Sequence, residues 1–298
     1  MKDASLALKN PEGKGSPVAR LDSAPSTRGV WKAGKDILIF ILAFVYLVPV
    51  IVLFLTSFKT QIQIMEKGFG WFFMPTLMNY TTVLLEQGFL RYMINSLIVG
   101  LVSTLFTLII GGLASYALVR FNFLGKGTIS IGTLLLRMIP PAVLVVPIYV
   151  LWSYFGLADT RLGLIIIYVG LNLPFTIWVL ISFISDVPVE MEEAAVVDGC
   201  GPWKIFFRII LPLIKPGLAA AAIFTFRIAW NEFILALVLT NRMTRTLPVA
   251  TTIYMTDTGV EWGNITAMGT LVALPAIIFT FIAAKQLIAG LTAGAVKG

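Results

Sequence analysis

Residues 37–58 read ILIFILAFVYLVPVIVLFLTSF, twenty-two residues from Ile37 to Phe58 without an acidic or basic side chain. A helix rises 1.5 Å per residue, so about 20 apolar residues cross a hydrocarbon core about 30 Å thick. This stretch is therefore read as a membrane span. Five more stretches meet the same test: Tyr92–Leu118, Thr128–Phe155, Leu164–Ile184, Leu218–Thr240 and Ile265–Ile288. The fold class that follows is an all-α membrane protein of six transmembrane helices, with both termini on one side. Composition agrees: of 298 residues 58% are hydrophobic and 12% charged, whereas a soluble domain is nearer 45–50% apolar and 25% charged.

The same composition excludes chemistry. The chain has no His and one Cys, Cys200. No Ser-His-Asp or Cys-His triad, His metal ligand or internal disulfide can be built from it. Neither catalytic residues nor a metal site are expected. The net charge of +7 raises the question of nucleic acid, but the basic residues are dispersed over loops without a basic, aromatic-interleaved patch, so no nucleic-acid partner is expected. Instead they divide by side. Fourteen Lys and Arg lie on the side of the termini, Lys285 counted with the tail, against six on the other, which predicts cytoplasmic termini by the positive-inside rule. Residues 1–36 read as a polar cytoplasmic arm with too little apolar surface to fold alone. No Ala-x-Ala-like cleavage site precedes Ile37, so the first span is expected to be uncleaved.

Between the fourth and fifth spans, Ser185–Gly217 is too charged to cross a bilayer. Pro188 marks a helix start, and Glu190, Glu192 and Glu193 load its positive N-terminal end. Gly199 stands where a left-handed C-terminal residue is expected. A second short helix then fits Pro202–Leu211, with Pro202 in its first turn and Pro212 stopping it. Ala194, Ala195, Val196, Trp203, Phe206 and Phe207 give this hairpin an apolar face that needs a cover. A cytoplasmic protein and the bilayer surface are equally open as that cover.

Glu193-Ala194-Ala195, Gly199 and Ile209-Ile210-Leu211-Pro212, at these spacings, resemble the EAA loop of ATP-binding-cassette (ABC) importer permeases. Ser57-Phe58-Lys59, Asn79-Tyr80, Asn95-Ser96, Trp230-Asn231-Glu232-Phe233 and the ending Gly290–Gly298 narrow the likeness to the MalG-like carbohydrate permeases, over essentially Ile37–Gly298. The resemblance implies a type I ABC importer permease fold in a bacterial cytoplasmic (inner) membrane. It implies a subunit without catalysis of its own, working by alternating access beside a homologous second permease. A dimer of ATP-binding subunits would hold the ATP and Mg, and a periplasmic or extracellular sugar-binding protein would deliver the sugar. Consistently, no G-x-x-x-x-G-K-[ST] phosphate loop occurs. By resemblance, the residues that couple to the ATPase are Glu190, Glu193, Ala194, Ala195, Asp198, Gly199, Ile209, Leu211 and Pro212. The tail resembles one that reaches between the ATPase subunits, and Met255–Asn264 falls in the loop where the binding protein docks.

Away from the span ends, Arg137, Arg227 and Glu232 are the ionisable residues within spans. Each costs a few kcal/mol in lipid unless paired or facing a cavity, so they are candidates for the substrate path with Asn172 and Asn231. Arg227 and Asn231, four apart, share a helix face. Glu232 either bridges to an arginine of another helix or lines the path. Asn172 either lines the path or bonds the carbonyl that Pro174 frees. Pro140, Pro141 and Pro147 beside Arg137 predict a broken third helix. Two arginines against one carboxylate would favour an acidic sugar. An ABC importer permease for another small solute is one alternative; a secondary transporter is the other, suggested by broken helices with intramembrane charges, and it leaves the EAA spacing unexplained. An intramembrane enzyme is disfavoured, because Glu232 has no obvious catalytic partner.

Overall fold

The computed structural model describes residues 27–66, 70–86, 88–257 and 259–295. Most of the polar arm, Phe69 and the tail's Val296–Gly298 lie outside the described residues. Two compact units divide the chain, residues 1–50 and 51–298. Among the described residues, four helical stretches are long and apolar enough to cross a membrane: Gly34–Thr56, Phe89–Arg120, Arg161–Ser185 and Trp262–Phe281. Two bent pairs bring the number to six if each counts as one span.

The expected spans fall on these elements, with corrections at their ends. The first helix begins by Thr27, so the last ten residues of the expected arm are helical; once a helix is nucleated, each further residue adds a hydrogen bond at little cost. The third span is broken as expected. Lys126–Arg137 and Pro141–Tyr154 meet at 101°, because Pro140 and Pro141 lack backbone donors and Pro140 drives Ile139 out of the helical region. The fourth span, Arg161–Ser185, starts at Thr160, whose hydroxyl accepts from the Gly163 amide at 3.0 Å. The fifth is not continuous over Leu218–Thr240. Lys215–Asn231 ends at an extended Glu232, and a short helix Ile234–Leu239 follows. The last helix runs Trp262–Ala295. One small departure from an all-α chain is an antiparallel pairing of Met255–Thr256 with Gly259–Val260.

Small residues set the closest packing. The second span, Phe89–Arg120, makes its most extensive contact with the fourth. A Cβ on Gly111 would lie 2.8 Å from Thr176 Cγ2, and the Ser115 hydroxyl donates to the Ile177 carbonyl at 3.1 Å. Close approach with hydroxyl bonds across it is how helices associate where lipid supplies no hydrophobic drive. Large side chains fill the two ends. Phe89, Tyr92, Phe226, Trp230, Tyr254 and Met268 form a buried cluster at the start of the second span. At its other end Tyr116, Leu180, Ile184, Ile205, Phe206 and Ile210 form another, which includes the hairpin.

Three of the quoted sequence stretches turn out to tie loops to helices. Asn79 Nδ2 donates to the carbonyls of Ser57 and Lys59, both at 2.8 Å, and the Ser57 and Tyr80 hydroxyls meet at 2.7 Å. Asn95 Nδ2 donates to the carbonyls of Met243 and Arg245, and Ser96 Oγ accepts from the Leu247 amide at 2.7 Å. Sequence reading missed these roles, since each partner is contributed by a distant loop.

Candidate functional site: hairpin, link and path

The hairpin's first arm is Glu190–Val197. Gly199 has φ +77°, the left-handed value that a side chain would strain. Its amide donates to the Val196 carbonyl and that of Cys200 to Ala195, both at 2.9 Å. This pair of bonds closes the helix as a Schellman motif. The second arm runs helically from Pro202 to Leu213 and bends by 78° into Lys215–Asn231. Pro212 does not stop it. Residues Phe206–Ile210 form a wider π turn, with the Leu211 amide bonded to the Phe206 carbonyl, which accommodates the proline within the helix.

The hairpin has two faces. Glu190, Glu193, Ala194, Asp198, Gly199 and Pro212 are exposed, Ile209 and Leu211 are half-buried, and Ala195 is buried. The apolar face expected to need an outside cover therefore divides. Ala195 and Phe206 pack on the chain's own Tyr116, Leu180 and Ile184, while Val196, Trp203 and Phe207 remain exposed.

Glu192 lies inward, buried. Arg120, at the end of the second span, donates from Nε to Glu192 Oε1 in an ion pair. The same guanidinium donates from Nη2 to the carbonyls of Ile184, in the last turn of the fourth span, and of Val187, just past its end, at 3.1 and 2.7 Å. The Tyr116 hydroxyl donates to Glu192 Oε2 at 2.8 Å, and its ring packs against Phe206 at 5.3 Å between centroids. One arginine thus joins three elements. Sequence reading used Glu192 only as helix-end charge and counted Arg120 only for topology.

Of the five expected path residues, three meet. Arg137, Asn172 and Glu232 line one cavity of about 160 Å³ beside the broken third span, together with Pro141, Tyr168 and Phe175. Among the described residues Glu232 does not bridge to an arginine. Its carboxylate accepts from the Tyr168 hydroxyl at 2.7 Å and from the amides of Leu235 and Ala236 at 2.9 and 3.0 Å. It ends one helix and caps the next. Asn172 bonds the Tyr168 carbonyl at 2.8 Å, rather than the Gly170 carbonyl that Pro174 frees; Tyr168 lies one turn before Asn172, within reach of its amide. Asn231 is exposed and donates to the Arg227 carbonyl at 2.8 Å.

Arg227 lies outside that cavity, yet aromatic rings connect it to Arg137. The Arg137 guanidinium carbon is 4.5 Å from the Phe175 ring centre, Phe175 meets Phe224 edge-on at 5.6 Å, and Arg227 lies 5.7 Å from Phe224. Neither arginine reaches a carboxylate among the described residues. At the end of the chain's spans opposite the hairpin, a polar cleft of about 510 Å³ is lined by Thr60, Thr76, Asn79, Glu261 and Asn264.

Comparison with known proteins places this architecture. Residues 103–292 match the family described as "Binding-protein-dependent transport system inner membrane component". The permease protein DasC of a diacetylchitobiose uptake system in Streptomyces coelicolor is 37% identical over 274 residues, 90% of this chain and 97% of DasC. The permease protein SugB of a trehalose transport system in Mycobacterium tuberculosis is 38% identical over 75% of this chain and 82% of SugB. A chain from the crystal structure of a bacterial ABC transporter involved in the import of the acidic polysaccharide alginate shares the fold, with a TM-score of 0.75 at 20% identity, over 88% of this chain and 98% of that one.

Proposed function

This chain is a member of the family of binding-protein-dependent transport system inner membrane components, and from that membership we propose that it forms half of the translocation path of an ATP-driven importer of oligosaccharides. A homologous second permease completes the path in the bacterial cytoplasmic membrane, with both termini in the cytoplasm. The chain performs no catalysis; a pair of ATPase subunits binds ATP and Mg. Its hairpin docks on them through Glu190, Glu193, Ala194, Asp198, Gly199 and Pro212, with Ile209 and Leu211 closing the hairpin and Ala195 anchoring it from inside. Closure of the ATPases moves the hairpin, and the spans exchange inward for outward opening. A sugar-binding protein docks at the other side, at the Met255–Asn264 loop beside the polar cleft. Names of relatives that import diacetylchitobiose and trehalose support the sugar class.

The observation that carries the proposal is the two-faced hairpin, clamped to the spans on one side and exposing Glu193 through Gly199 on the other. Gentle solubilisation is expected to co-purify a second permease and an ATPase dimer. In the reconstituted complex, Glu193→Lys and Gly199→Asp are expected to separate binding-protein-stimulated ATP hydrolysis from uptake. Uptake by the chain alone, driven by an ion gradient, would overturn the proposal in favour of a secondary transporter.

The row Arg137–Phe175–Phe224–Arg227 favours an acidic sugar within that class. Two cations on an aromatic platform, without a carboxylate partner among the described residues, suit a ring that stacks and a carboxylate that pairs. Competition of an alginate trisaccharide with trehalose for uptake tests this: preference for trehalose, unchanged in Arg137→Gln and Arg227→Gln, removes the acidic preference.

A further inference from the structure

We propose that Arg120 and Glu192 are the positioning pair that carries movement of the hairpin into the second and fourth spans, an inference that rests on the importer reading above. Glu192 and Glu193 are neighbours in the chain but about 100° apart round the helix. Glu193 is therefore free for a partner while Glu192 is buried against the spans. A hairpin transmits displacement only through contacts on which it does not slide. The apolar contacts of Ala195 and Phe206 hold it without direction, because hydrophobic attraction depends on area. The guanidinium of Arg120 is directional: a planar fork with one bond to the hairpin carboxylate and two to carbonyls at the end of the fourth span, Ile184 within its last turn and Val187 just beyond it. Tyr116, one turn earlier on the same span, holds the second oxygen of that carboxylate and packs on the hairpin's other arm through Phe206. Both arms of the hairpin are thus fastened to one turn of the second span, and through Arg120 to the end of the fourth. Glu192 is buried and Arg120 mostly so, with 15% of its side chain exposed, so water competes little for the link.

The test uses the co-purified complex with its binding protein in proteoliposomes. Labelled trehalose, diacetylchitobiose and an alginate trisaccharide serve together as probe, and solute taken up per ATP hydrolysed is the readout at equal amounts of assembled complex. Glu192→Gln and Arg120→Gln are expected to lower that ratio at least about fivefold, the low end of measured coupling between sites. The double variant Arg120→Glu with Glu192→Arg is expected to recover part of the loss. A ratio unchanged in both single variants overturns the proposal, as does a double variant no better than the worse single one. If the single variants do not assemble, Arg120→Lys carries the test, because one ammonium does not span the carboxylate and both carbonyls; a wild-type ratio there overturns the proposal. A wild-type complex that takes up none of the probes with ATP contradicts the importer reading itself, and the proposal falls with it.

Discussion

Arg120 and Arg137 carry the same charge on helices consecutive in the chain, and they are used in opposite ways. Arg120 is consumed within the chain, with a carboxylate and two helix-end carbonyls on its guanidinium. Arg137 faces a ring and a cavity, with no carboxylate in reach among the described residues. A charge satisfied at home contributes to holding helices in register. One left without a counter-charge among the described residues, beside a cavity, is offset only in part by the ring it faces, which marks it as a functional candidate. Glu232 stands between them: its carboxylate is fully hydrogen-bonded, yet by neutral donors, so it shapes the helix break while lining the same cavity as Arg137.

That contrast can be broken by substitution. Glu192→Ala removes one member of a buried ion pair and is expected to destabilise the chain most, by about 3 kcal/mol, read as a lower thermal midpoint in detergent; Arg137→Ala should move that midpoint little. Next comes Glu232→Ala, which strips the cap from Ile234–Leu239 and orphans the Tyr168 hydroxyl. About 2 kcal/mol is expected, with Glu232→Gln retaining most of the stability because the amide oxygen still accepts. Equal midpoints for the two variants would contradict the capping role. For transport the order reverses. Arg137→Gln is expected to cut uptake of an alginate trisaccharide about tenfold relative to trehalose, a difference of about 1.4 kcal/mol. The smallest effect is expected for Phe175→Leu, which keeps the apolar bulk and loses the ring, weakening the same selectivity by about 0.5–1 kcal/mol. A larger loss for Phe175→Leu than for Arg137→Gln would show that stacking rather than charge sets the preference.

Much of this was readable along the chain. The break in the third span follows from Pro140 and Pro141, because proline acts on its own backbone and its immediate neighbour. The turn at Gly199 is local in the same sense, and φ +77° bears it out. The break at Glu232 carried no such mark: Trp230-Asn231-Glu232-Phe233 contains neither proline nor glycine. At that break the Glu232 carboxylate meets the Tyr168 hydroxyl, 64 residues away in sequence. The stop expected at Pro212 falls one residue later, after Leu213, with a π turn ahead of the proline. Reading Glu192 as helix-end charge was true of its helix and silent about Arg120, 72 residues earlier.

Amino-acid order alone determined the apolar lengths, the hairpin between the fourth and fifth spans and the family likeness, because hydrocarbon thickness and backbone restriction act on contiguous residues. Tertiary structure decided which charges meet: Arg120 with Glu192, Glu232 with Tyr168, and Arg137 with Phe175. Helix packing brings those groups within a few ångströms although dozens of residues separate them in the chain, and electrostatic and hydrogen-bond energies depend on that distance and not on sequence separation.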